Sequence, residues 1–89
     1  MHFHLIISGH VQGVGFRYSA QQKANEYNLY GWVMNLEDGT VEMEVEGPEN
    51  QVNQYVTEIK NGFHRFIRVD DINIEKTEGE KGYKQFTIK

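Results

Sequence analysis

Arg17 closes the run Gly9-His10-Val11-Gln12-Gly13-Val14-Gly15-Phe16-Arg17, in which three glycines fall within seven residues. Glycines let the backbone curl so that several N–H groups point inward together. The residues that follow read as the first turn of a helix, where unpaired N–H groups and the helix dipole favour an anion. A guanidinium at the same spot adds a fixed, bidentate positive charge. The chemistry implied is phosphate binding, by the backbone N–H groups of Gln12, Gly13, Val14, Gly15, Phe16 and Arg17 and by the Arg17 side chain. The plain alternative is a strand-to-helix turn that needs glycines for geometry alone.

Two better-known glycine loops are excluded by single residues. The mononucleotide loop requires Lys-Ser or Lys-Thr after its last glycine, and here Gly15 precedes Phe16-Arg17. The dinucleotide fingerprint requires a glycine three residues past the second, a place held by Tyr18.

The elements that must hold this loop are legible on either side of it. Phe3 to Ser8 is short, apolar and β-branched, and reads as a strand. Phe16, Ala20, Ala24 and Tyr27 recur at spacings of four and three, which puts them on one helix face, and Asn28 is a left-handed cap. Tyr30 to Leu36 reads as a second strand and Glu37-Asp38-Gly39 as a tight turn. From Thr40 the chain alternates strictly, with Val41, Met43 and Val45 on one side and Glu42, Glu44 and Glu46 on the other, a half-buried strand with a solvated acidic face.

Gly47-Pro48 opens a second helix, with Val52, Tyr55, Val56 and Ile59 on one face, ended by Gly62. Arg65 to Glu75 is a strand with a break near Asp70-Asp71, Thr77 to Gly82 a charged loop, and Tyr83 to Ile88 a last strand. The order is βαββαβ plus a terminal strand, an α+β sandwich with two helices on one face of an antiparallel sheet. Residues 1–89 form one domain.

Composition narrows the function classes. Without cysteine there is no disulfide framework, thiolate metal site or thiol nucleophile. No apolar run approaches a membrane span and Met1-His2-Phe3-His4 lacks a signal-peptide layout, so a soluble, cytoplasmic monomer without membrane contact is expected. Residues 1–35 carry two basic residues and one acidic, whereas residues 36–89 carry seven basic and twelve acidic, which leaves the loop half the less repulsive side for an anion. The overall charge of −4 argues against nucleic acid. An RNA-binding module of the same element order would need aromatic and basic residues on its open sheet face, where this chain places glutamates.

The chain closely resembles the acylphosphatase family through Gly9, Val11-Gln12-Gly13-Val14-Gly15-Phe16-Arg17, Gly31-Trp32-Val33-Met34-Asn35 and Asp38-Gly39-Thr40-Val41-Glu42, with Glu46-Gly47 and Phe86-Thr87-Ile88. The resemblance spans nearly the whole chain. It implies a ferredoxin-like fold and metal-independent, cofactor-free hydrolysis of small acyl phosphates to a carboxylate and inorganic phosphate, the latter also a competitive inhibitor. It implies that Arg17 binds the phosphoryl group and that Asn35 positions the water. Two positions depart from the family's usual pattern: Met34 stands where a basic residue often precedes the asparagine, and Gly62-Phe63 where Gly-Pro is common. Neither touches the implied chemistry. A non-catalytic anion-binding or regulatory module of the same fold is the alternative reading.

The remaining residues that could do chemistry are read more plainly. His2 and His4 alternate like a weak metal pair, but at a terminus expected to fray. His10 reads as a partly exposed loop residue and His64 as a surface one. Trp32 and the tyrosines are expected in the core or on the pocket rim.

Overall fold

Alternation and helical periodicity translate into seven elements in the computed structural model, which describes residues 1–89: β1 (His2–His10), α1 (Phe16–Glu26), β2 (Tyr30–Asn35), β3 (Val41–Glu46), α2 (Glu49–Lys60), β4 (Arg68–Thr77) and β5 (Phe86–Ile88). They build one five-stranded sheet of order β4-β1-β3-β2-β5 with both helices packed against it, the ferredoxin-like α+β arrangement with an added strand. The apolar halves of the strands, among them Leu5, Val33 and Met43, meet Phe16, Ala20 and Ala24 of α1 and Val52, Tyr55 and Ile59 of α2. Alanines at 20 and 24 keep that face shallow, so α1 lies close on β2 and β5. The Tyr55 hydroxyl donates to Ala20 O at 2.7 Å, which ties the helices together, and burial pushes its pKa well up.

Local signals fall where the residue types place them. Asn28 has φ 57°, and the Leu29 N–H returns to Ala24 O at 2.8 Å, closing α1. Pro48 is the N-cap of α2, one step before its first turn. The expected break near Asp70-Asp71 is a register shift: Ser8 faces Asp71 and Gly9 faces Val69, so Asp70 is the extra residue of a bulge. Residues 65–67, expected in this strand, lie in the turn before it. No helix is long and apolar enough to cross a membrane.

The sheet is mixed rather than antiparallel, because β5 pairs with β2 in parallel. The cause is topological. β4 ends at the end of the sheet where β2 begins, so a chain that returns to the far side of β2 must run alongside it, and a parallel neighbour needs a crossover. Residues 78–85 provide it as a strap beneath β1 and β3, and β5 keeps only its last three residues, shorter than the expected strand from Tyr83.

That strap overturns the expected solvated stripe of glutamates. Glu46 is 2 % exposed, and its carboxylate accepts hydrogen bonds from the backbone N–H groups of Lys81, Gly82 and Tyr83 at 2.8–3.2 Å. Glu44 accepts from the Tyr83 hydroxyl and the Lys81 ammonium. Trp32, expected in the core or on the pocket rim, lies on this far face instead, where its Nε1 donates to the Tyr83 hydroxyl at 3.1 Å and Lys89 Nζ sits 4.2 Å from its ring centre. Nor is the N-terminus frayed. β1 runs between β3 and β4, His2 is buried 3.1 Å from Glu44, and His4 Nε2 meets Glu42 at 2.7 Å. His2 and His4 thus each face a carboxylate.

Burial pushes the Glu44 carboxyl up, but the Tyr83 hydroxyl, His2 and Lys81 outweigh it and draw its pKa from 4.5 to about 2. Between those values the unfolded chain binds the proton and the folded one does not, so stability rises with pH. The Glu44 contribution is therefore expected in full above pH 4.5 and lost as pH falls through about 2. Urea midpoints measured across this range should fall on acidification, with a shallower slope in Glu44→Gln.

Candidate active site

The glycine loop joins the end of β1 to α1 in a conformation that side chains resist. Gly13 has φ 75°, and Gly15, the N-cap of α1, has φ 81° and ψ 19°. A β-carbon in this left-handed region costs roughly 1–2 kcal/mol. Space is not the constraint: nothing lies within 4 Å of a β-carbon placed on Gly13, and only His64 Nε2, at 4.0 Å, approaches one on Gly15. Gly15 O accepts the first helical bond, from Ser19 N–H at 3.1 Å. The N–H groups of residues 12–17 donate to no backbone carbonyl in the loops, turns and caps. The chain thus leaves a row of donors unspent at a helix N-terminus.

Gln12 does something the sequence did not reveal. Its Nε2 donates to both Leu36 O and Thr40 O at 2.8 Å, the carbonyls that bracket the β2–β3 turn. The amide nitrogen carries two N–H donors, one for each carbonyl. The tie fastens the loop to the turn that begins immediately after Asn35. Asn35 is the last residue of β2, and its Oδ1 is buried without a hydrogen-bond partner. Such an atom is costly unless something else donates to it.

Arg17 lies in the first turn of α1, half-buried, and its Nη1 donates to Lys89 O at 3.0 Å. The end of β5 therefore fixes the guanidinium, a role invisible in the loop motif. A cleft of about 210 Å³ brings Gly13, Gly15, Phe16 and Arg17 together with Asn35, walled by Val11, Tyr18 and Ile88. Gln12 and Val14 do not line it; the Val14 side chain packs against the core. Pockets that enclose drug-sized ligands run to roughly 300–1,000 Å³, so this one has room for a small group only.

Two further residues approach the loop from the turn after α2. Phe63 has φ 57°, a value closed to proline. Its ring packs against Phe16 at 5.4 Å, so this departure from the family's usual pattern adjoins the loop without supplying any of the implied chemistry. His64 is exposed, as expected, and its Nδ1 accepts from the Phe66 N–H at 3.2 Å. His10 is exposed at the end of β1. No group of three or more His, Cys, Asp or Glu side chains is gathered to hold a metal ion.

A ferredoxin-like sandwich with a left-handed glycine loop, a tethered arginine and a half-buried strand-end asparagine at one end of its sheet defines a class of small α+β proteins. The chain belongs to the acylphosphatase family, whose model matches residues 3–88. It is 48% identical to an acylphosphatase of Clostridium beijerinckii over 84 residues, 94% of this chain and 92% of that one. It is 42% identical to an acylphosphatase of Bacillus subtilis over 88 residues, 99% of this chain and 96% of that one. The crystal structure of acylphosphatase from Bacillus subtilis superposes with a TM-score of 0.93, covering 98% of this chain and 96% of that one. An acylphosphatase structure from Coxiella burnetii gives 0.90 at 34% identity, over 99% and 90% of the two chains.

The φ values make one outcome specific. Gly15→Ala is expected to lower unfolding free energy by about 1–2 kcal/mol. It should also weaken the rise in melting temperature that inorganic phosphate gives the parent, although Arg17 is still present. Phosphate-dependent thermal melts of the two proteins check both effects.

Proposed function

We propose that this acylphosphatase, a hydrolase of acyl phosphates, holds the phosphoryl oxygens with the Arg17 guanidinium and the backbone N–H groups of residues 12–17, and holds the attacking water with Asn35. The observation that carries the proposal is the meeting in one cleft of Arg17 and the unspent loop donors with Asn35, whose Oδ1 is buried and unpartnered. The Asn35 amide, which lines the cleft, holds the water by a hydrogen bond that leaves a lone pair of the water oxygen free to face phosphorus. The amide does this without titrating near neutral pH.

The new bond forms between the water oxygen and phosphorus, and the bond from phosphorus to the bridging oxygen breaks. That oxygen keeps the electron pair and leaves as a carboxylate. The dianion and water become a carboxylate and dihydrogen phosphate, so both protons of the water stay on the phosphate. A carboxylate is stable without a proton, and the scheme asks for neither a strong general acid nor a metal. What remains is positioning and electrostatics, the usual burden in phosphoryl transfer.

All the groups named come from one chain, which supports a monomer as the working unit; we place its action on small acyl phosphates in the cytoplasm. The non-catalytic alternative is less favoured, because near-full-length relatives named acylphosphatase share the fold and the cleft keeps both Arg17 and Asn35.

Phosphate release from benzoyl phosphate should persist in excess EDTA, while an alkyl phosphate monoester, whose alkoxide leaves poorly, should be nearly inert. A strict Mg²⁺ requirement would overturn the scheme. Arg17→Ala should weaken inorganic phosphate as a competitive inhibitor and lower kcat by at least about 10²-fold, since the cation meets ground and transition state alike. Asn35→Ala should mainly lower kcat. Equal loss of phosphate inhibition in both folded variants would place Asn35 in the cradle instead.

A further inference from the structure

The phosphate-binding elements occupy the floor of the cleft, but its walls have a chemistry of their own. Five large apolar side chains are exposed on the molecule: Tyr18, Tyr30, Phe66, Ile74 and Ile88. Two of them, Tyr18 at 63% exposure and Ile88 at 36%, line this cleft. Each is the sequence neighbour of a partner in the guanidinium contact: Tyr18 follows Arg17, and Ile88 precedes Lys89, whose O accepts from Arg17 Nη1. The other two apolar lining residues, Val11 and Phe16, are each 1% exposed and belong to the core. Arg17 is the one charged side chain of the lining.

We infer that Tyr18 and Ile88 form an acyl-binding rim that selects uncharged aromatic or branched aliphatic acyl phosphates over short ones and over those carrying a second negative charge. This rests on the hydrolytic reading of the same cleft. With the phosphoryl group on Arg17 and the loop, the bridging oxygen carries the acyl group toward the mouth, and the apolar surface there is what it meets. A ring laid against Tyr18 and Ile88 removes apolar area from water on both partners, and an aromatic pair adds to that. A second carboxylate would occupy the same space with no cation in the lining to meet it except Arg17, which already faces the phosphoryl group. The rim lies away from phosphorus and holds ground state and transition state alike, so its effect belongs in KM rather than kcat.

The test compares benzoyl, acetyl and succinyl phosphate as substrates, and benzoylphosphonate with acetylphosphonate as non-hydrolysable ligands. In the parent, kcat/KM for benzoyl phosphate should exceed that for acetyl phosphate by about 10-fold or more, through KM, and succinyl phosphate should rank last. Tyr18→Ala, a change at an exposed position, should shrink the benzoyl-to-acetyl ratio by about 5–10-fold. Ile88→Ala should shrink it less, and Tyr18→Lys should raise succinyl relative to benzoyl phosphate. The phosphonates should follow the same order in the concentration needed to raise the melting temperature.

A benzoyl-to-acetyl ratio that stays the same in Tyr18→Ala and Ile88→Ala overturns the rim. Absence of turnover on all three substrates, with the phosphonate order intact and sensitive to Tyr18→Ala, overturns the hydrolytic reading and keeps the rim. Equal affinity for both phosphonates overturns the rim whatever the turnover.

Discussion

The Glu46 carboxylate accepts hydrogen bonds from three consecutive backbone N–H groups of the strap, and the far end of the molecule hangs on that arrangement. A buried carboxylate is tolerable only when its oxygens are satisfied, and charge-assisted bonds to N–H groups do so strongly. With residues 81–83 held beneath the sheet, the chain can rise on the outer side of β2 as β5. Its last residues then arrive beside the glycine loop, with Lys89 O on the Arg17 guanidinium and Ile88 on the cleft wall. A contact at the base of the sheet thereby shapes the geometry at its top.

At the top, the loop, β2 and β5 are joined by few but directed links. Gln12 fastens the loop to both carbonyls of the β2–β3 turn, Phe63 supports Phe16 from the side, and Lys89 holds Arg17. Each link comes from a different element, so no single helix or strand could carry the site alone. Preorganisation of this kind suits a reaction in which little covalent chemistry is asked of the protein and the donors must already be in place when charge develops.

Much of this was legible in the sequence, for identifiable reasons. Helix faces, the Asn28 cap and the buried half of β3 follow from periodicity and from one residue's tolerance of positive φ, both local properties. The loop was marked by residue type at close spacing, and Asn35 by the resemblance to the acylphosphatase family. The direction of β5 was not, because it depends on where β4 leaves the sheet rather than on Phe86-Thr87-Ile88 themselves. Alternation said which way Glu44 and Glu46 point but not what would cover them. The same gap hid His2, which looked terminal in sequence but lies between two neighbouring strands. Gln12 was read for its backbone alone, and its side chain proved to be the bracket.

The way the sheet ends has a consequence for encounters between molecules. One free edge is β5, only three residues long, and the other is β4, interrupted by the bulge at Asp70 and studded with Arg68, Asp70, Asp71, Glu75 and Lys76. Neither presents the long, flat row of open N–H and C=O groups on which a foreign strand could template itself. The added strand that brings Ile88 and Lys89 to the cleft also caps β2, whose six residues would otherwise form the more inviting border. In a domain this small, the strand that completes the site is thus also a guard against fibrous self-association.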